Sequence, residues 1–143
     1  MRIYVGIAAT LIAAACGGSS PTSYGSTPPP PPPPPPGPAP QSITMTDYTY
    51  SLPSLSVKVG TVVKWSNNGS VPHTATSDAG TFDSGALGPP TTTTDPLYGT
   101  TTTPGGTYSM TFSAPGTSAY HCIYHGVPGS VPGTMKGTIT VTQ

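Results

Sequence analysis

Tyr120-His121-Cys122-Ile123-Tyr124-His125, read with Met135 downstream and the isolated His73 upstream, is where the residue types of this chain permit chemistry. A thiolate, two imidazoles and a thioether form a soft, mixed donor set that suits copper in a trigonal site with a weak axial sulfur, and the reaction expected of such a site is electron transfer. Two residues separate Cys122 from His125, so one short loop can aim sulfur and imidazole at a single ion. Met135 stands just before the last apolar alternation, while His73 follows Val71-Pro72 in a different part of the chain. The donors therefore arrive from two regions, and the fold has to bring them together.

The elements available for that are strands. Leu55, Val57 and Val59 alternate with Ser56 and Lys58, and the same parity resumes after Gly60 at Val63 and Trp65. Tyr108, Met110 and Phe112 alternate with Ser109 and Thr111, and Ile139 and Val141 with Thr138 and Thr140. No stretch has helical periodicity. Period-two patterning divided by Asn-Gly, Pro-Gly and Gly-Gly turns predicts an all-β fold, an antiparallel Greek-key β-sandwich over residues 41–143. A sandwich gathers loops at one end, which is how His73 can meet Cys122 and His125. Tyr120, two residues before Cys122, is placed to form a tyrosine corner. Residues 88–103, with two runs of four threonines, read as a long exposed loop or two weak edge strands.

Composition narrows the setting. Of 143 residues, 21 are proline and 18 glycine, and the prolines concentrate ahead of Gln41, leaving enough chain for one small domain. The domain carries Lys58, Lys64 and Lys136 against Asp47, Asp78, Asp83 and Asp95, a near-neutral balance with no basic patch for nucleic acid. Residues 1–15, with Arg2 ahead of an apolar run, read as an export signal. Ala13-Ala14-Ala15-Cys16-Gly17 resembles a bacterial lipoprotein cleavage box, which would make Cys16 a lipidated mature N-terminus anchored in a membrane; cleavage after Ala15 with plain secretion is the alternative. Residues 16–40 are a Gly/Ser/Pro-rich linker, unbroken proline from Pro28 to Pro36, extended in polyproline conformation with a reach of up to roughly 70 Å. A stalk is the expected role, recognition by a proline-binding domain the other. The expected location is the cell envelope, with the domain in the periplasm or outside the cell. There Cys122 is an odd thiol in an oxidising compartment, protected if it ligates a metal.

Several motifs recur in order. Val57-x-Val59-Gly60-x-x-Val63-x-Trp65-x-Asn67, Pro72-His73-Thr74, Phe82-Asp83-Ser84-Gly85, Pro104-Gly105-Gly106-x-Tyr108, Tyr120-His121-Cys122-x-x-His125 and Met135-Lys136-Gly137-Thr138-Ile139 together resemble the cupredoxins, in the plastocyanin and amicyanin branch, over nearly all of 41–143. That resemblance implies a mononuclear blue copper site cycling Cu(II)/Cu(I), with His73, Cys122 and His125 as strong in-plane ligands and Met135 as the weak axial one. It also implies a monomer whose redox partner proteins dock where the edge of His125 emerges; Val71, Pro72, Val127 and Pro128 are the candidates for that patch. The same resemblance implies that Thr74 offers a backbone N–H to the cysteine sulfur.

One departure stands out. Nine residues separate His125 from Met135, more than relatives carry, and they read as a tandem Val127-Pro128-Gly129-Ser130, Val131-Pro132-Gly133-Thr134. A long axial bond or a backbone oxygen are the alternatives to Met135 at the fourth position. Asn67 has two readings, a turn with Gly69 or a hydrogen bond that stiffens the ligand loops. His121 falls on the opposite strand face from Cys122 and reads as structural or exposed, while Met45 and Met110 read as core.

The same residues bear on other functions. Zinc disfavours a thioether at the fourth position. Copper delivery needs the same four residues but requires ready release. A cysteine hydrolase would need a third orienting group, an oxyanion hole and a cleft, and the sequence offers none. A purely structural domain predicts no metal uptake at all.

Overall fold

The computed structural model describes residues 30–129 and 134–143. The export signal (residues 1–15), Cys16, most of the 16–40 linker and residues 130–133 of the tandem repeat fall outside the described residues. The compact unit spans residues 35–143.

Ten strands follow one another: β1 (Gln41–Thr46), β2 (Thr49–Tyr50), β3 (Ser54–Lys58), β4 (Thr61–Asn67), β5 (Thr76–Ser77), β6 (Thr91–Asp95), β7 (Gly99–Thr103), β8 (Thr107–Phe112), β9 (Gly116–His121) and β10 (Lys136–Thr142). Eight of them make two four-stranded sheets, ordered β2-β1-β4-β8 and β3-β10-β9-β5. Ile43, Met45, Val63 and Trp65 from the first sheet bury themselves against Val57, Tyr120, Ile139 and Val141 from the second. Trp65 is the hub, its ring 5.6 Å from those of both Tyr120 and Phe82.

The sandwich is mixed rather than antiparallel. β1 runs parallel to β4, and β10 parallel to β3. The reason is at Gly60, whose φ of 87° turns the chain out of one sheet and into the other, so β3 and β4 belong to opposite layers despite their shared parity. Each then pairs with a strand distant in sequence, which strand patterning does not reveal.

One further expectation changes, and one pair of alternatives is decided. The Tyr120 hydroxyl is buried without a hydrogen-bond partner, so it forms no tyrosine corner; its ring instead packs at 4.8 Å on Tyr50. The threonine-rich segment is a free-standing ribbon, β6 paired with β7 alone, in register from Thr91↔Thr103 to Asp95↔Gly99. Cross-strand threonines hydrogen-bond on one face, Thr92 to Thr102 and Thr94 to Thr100.

Candidate metal centre

The long β4–β5 connection carries His73 and the β9–β10 connection carries Cys122, His125 and Met135. Backbone pairing fixes His73 first: it exchanges two hydrogen bonds with Leu87, N to O at 3.1 Å and O from N at 2.8 Å. Asn67 braces the same loop from inside. Its amide donates to Val71 O at 2.9 Å and Leu87 O at 2.7 Å, while its Oδ1 accepts from Gly69 N at 2.8 Å. Both readings of Asn67 therefore hold at once, since it closes the turn and stiffens the ligand loop.

The second loop is a tight turn. His125 N and Gly126 N both donate to Cys122 O, at 3.2 and 2.7 Å, and Met135 closes it by accepting from Cys122 N and donating to His125 O, each at 3.0 Å. A Cβ at residue 126 would stand 2.5 Å from Met135 O, so only glycine lets the two ends of the loop approach. Met135 is buried, 1% exposed, with its backbone between Cys122 and His125. Asp78 ties the outer part, accepting from Gly129 N at 2.8 Å. Its other oxygen sits 2.7 Å from His121 Nδ1, which accounts for His121 as a buried structural partner.

The two loops meet. His73 Nδ1 lies 3.2 Å from His125 Nδ1, and Cys122 Sγ lies 3.4 Å from His125 Nδ1 and 3.9 Å from His73 Nδ1. All three donor atoms fall within 4.8 Å of one another. Cys122 and His73 are fully buried, whereas His125 is half-buried. Thr74 stands where the sequence placed it, its N–H directed at Cys122 Sγ at 3.4 Å, and its hydroxyl accepts from Ile123 N at 3.0 Å, tying one ligand loop to the other.

Residues 40–142 match the family of copper binding proteins described as plastocyanin/azurin. The chain belongs to that family. Amicyanin from Paracoccus denitrificans is 36% identical over 73 residues, 51% of this chain and 48% of that protein, so the match spans about half the length of the relative. Among solved structures, a Cu(I) form of an amicyanin variant is 31% identical and an oxidised amicyanin variant 29%, each covering 71% of this chain and 81% of the other with a TM-score of 0.48.

Copper is thus the cofactor to fit to this cupredoxin, and the donors suit it. A buried sulfur and two imidazole nitrogens crowd together with more lone pairs than shared protons can satisfy, and a single soft cation satisfies all three. The His125 imidazole is held below its ordinary range by desolvation first and then by the neighbouring His73, with Asp47 pulling the other way; a neutral imidazole is the ligating form.

Asp47 was not singled out from the sequence. It occupies the turn between β1 and β2, yet its Oδ1 lies 3.2 Å from His73 Nε2 across a sequence gap of 26 residues. No strand periodicity links them. Tyr50, fully buried, donates its hydroxyl to Thr74 O at 2.5 Å and was equally unannounced. Of the expected surface patch, Pro72, Val127 and Pro128 are exposed and Val71 half-buried. The shallow depression beside His125 is lined by Pro72, Ala86 and Tyr124, and exposed Tyr48, Ile123 and Val127 also contribute apolar surface to the chain.

Proposed function

We propose that this cupredoxin is a one-electron carrier rather than an enzyme, with a type 1 copper ion that His73 Nδ1, Cys122 Sγ, His125 Nδ1 and Met135 would hold. The observation that carries the reading is the convergence of an imidazole from one loop with a thiol and an imidazole from another, all within 4.8 Å. When bound, copper supplies the Cu(II)/Cu(I) couple. The protein's part is to keep the donors still: the Leu87 pairing and the Asn67 brace hold His73, the Met135 closure holds Cys122 and His125, and the Thr74 N–H rests on the sulfur. Donors fixed by a hydrogen-bonded frame need little rearrangement when the charge at their centre changes.

His125 is the donor closest to solvent, and the apolar surface of Pro72, Ala86 and Tyr124 around it is where a redox partner protein docks. The lining is almost free of charge, so association relies on apolar contact rather than long-range steering. The same reading places a lipidated Cys16 in a membrane of the bacterial envelope, with residues 16–40 as the tether of a monomeric domain in the periplasm or outside the cell.

The test is a visible and electron paramagnetic resonance spectrum of the copper-loaded, oxidised protein. An intense visible band that bleaches and returns through repeated redox cycles with the metal retained supports the carrier. Absence of the band sinks the type 1 assignment, and ready loss of copper to an acceptor would instead make the chain a copper-delivery protein. Mass spectrometry of the mature N-terminus decides the lipid anchor.

A further inference from the structure

The two-residue turn Asp47-Tyr48, between β1 and β2, supplies no donor atom, yet it touches both imidazoles. Asp47 Oδ1 lies 3.2 Å from His73 Nε2, and the Tyr48 ring meets the His125 ring edge-on at 4.8 Å between centroids. Tyr48 keeps a φ of 70°, the only positive φ at a non-glycine residue among those described, a conformation that costs a bulky side chain energy.

The carboxylate is also built in rather than merely nearby. Ser70 donates its backbone N–H to Oδ1 at 2.8 Å and its hydroxyl to Oδ2 at 2.5 Å, so both oxygens are oriented. Gly69 completes the cradle: a Cβ there would fall 2.3 Å from Asp47 Oδ1 and 2.9 Å from His73 Nε2. Any other residue at position 69 would drive the carboxylate from the ring.

We propose that Asp47 is a positioning residue for the metal centre, which fixes His73 with its proton on Nε2 and its Nδ1 lone pair toward the metal, and which lowers the reduction potential. The inference rests on the copper reading above. A neutral imidazole carries one ring proton, and an ionised carboxylate against Nε2 draws that proton there. Polarisation of the ring makes Nδ1 a stronger donor, and the negative charge favours the more positive metal ion, so Cu(II) gains more than Cu(I). The carboxylate is partly exposed, with a side-chain accessibility of 35%, and water screens part of its field.

The test is Asp47→Asn, which keeps an oxygen to accept from Nε2 but removes the charge. Mutation of such an outer partner weakens metal binding roughly tenfold or more; if the weakening falls on Cu(II) alone, a tenfold change corresponds to a rise of about 59 mV in potential. Asp95→Asn, which removes an equal charge from the β6–β7 turn, is the control. A rise in Asp47→Asn but not in Asp95→Asn supports the proposal. An unchanged or lower potential in a copper-loaded Asp47→Asn protein overturns it, as does an equal rise in both variants, which would mean that only net charge is read. Nitrogen NMR of the metal-free wild-type protein at neutral pH gives a readout independent of copper: His73 as the Nε2–H tautomer is expected, and the Nδ1–H tautomer overturns the proposal. A wild-type protein that takes up no copper would defeat the electron-carrier reading instead, with the tautomer still deciding the role of Asp47 at His73.

Discussion

The carbonyl of Leu87 accepts from the Asn67 side chain at 2.7 Å and from the His73 backbone at 3.1 Å, so one oxygen links the end of a core strand to the donor-bearing loop. Asn67 is fully buried. Asn67→Leu leaves Gly69 N–H, and with it Val71 O, without the partner each has now. One orphaned buried group costs about 1–3 kcal/mol, and a loss of that size in urea unfolding of the metal-free domain is expected. An unchanged midpoint would mean that water replaces the amide.

Cys122 is the single free thiol among the described residues and is buried beneath the Thr74 N–H. Cys122→Ser replaces a soft donor by a hard one in the same volume. The copper-dependent visible band should disappear while the circular dichroism of the sandwich stays as it was. A band that survived in this variant would move the sulfur ligand elsewhere.

Met135 is buried at the point where its backbone closes the ligand loop. A glutamine oxygen is a harder donor than a thioether and favours Cu(II), so Met135→Gln should retain copper and lower the reduction potential. Voltammetry checks this. An identical potential would mean that residue 135 serves only to shut the loop.

Two buried phenols govern the alkaline limit. Burial first, and then the proximity of Cys122 and Tyr120, raise Tyr50 far above its usual range; burial pushes Tyr120 up to about 12. Both folded values lie above the unfolded one, so the folded state keeps protons that the unfolded chain releases above about pH 10. The stabilisation is complete below that pH and declines above it, by about 1.4 kcal/mol per pH unit for each tyrosine. Urea midpoints of the metal-free domain should be level near neutrality and fall above pH 10. A midpoint that held to pH 11.5 would show that neither phenol is protected.

Much of the site was legible in the chain because its signals are local. Cys122, His125 and Met135 share one loop, and the Thr74 N–H reaches Cys122 as the family resemblance implied. The alternation around Val63, Trp65, Ile139 and Val141 placed the buried faces, since side chains two residues apart on a strand share a surface. Parity read His121 as structural or exposed, and the structure decides for the first by burying it against Asp78.

What the amino-acid order determined by itself was the donor chemistry, the β character and the spacing that lets one turn present sulfur and imidazole together. Tertiary structure decided everything that depends on strand partners: the parallel pairing of β1 with β4, the separation of β3 from β4 into opposite sheets, the detached threonine ribbon, and the approach of Asp47 to His73. The physical reason is range. Side-chain periodicity encodes which face of a strand is buried, but the neighbour across that face is set by crossovers between layers, and a carboxylate in one turn gains meaning only when a fold sets it against an imidazole from another.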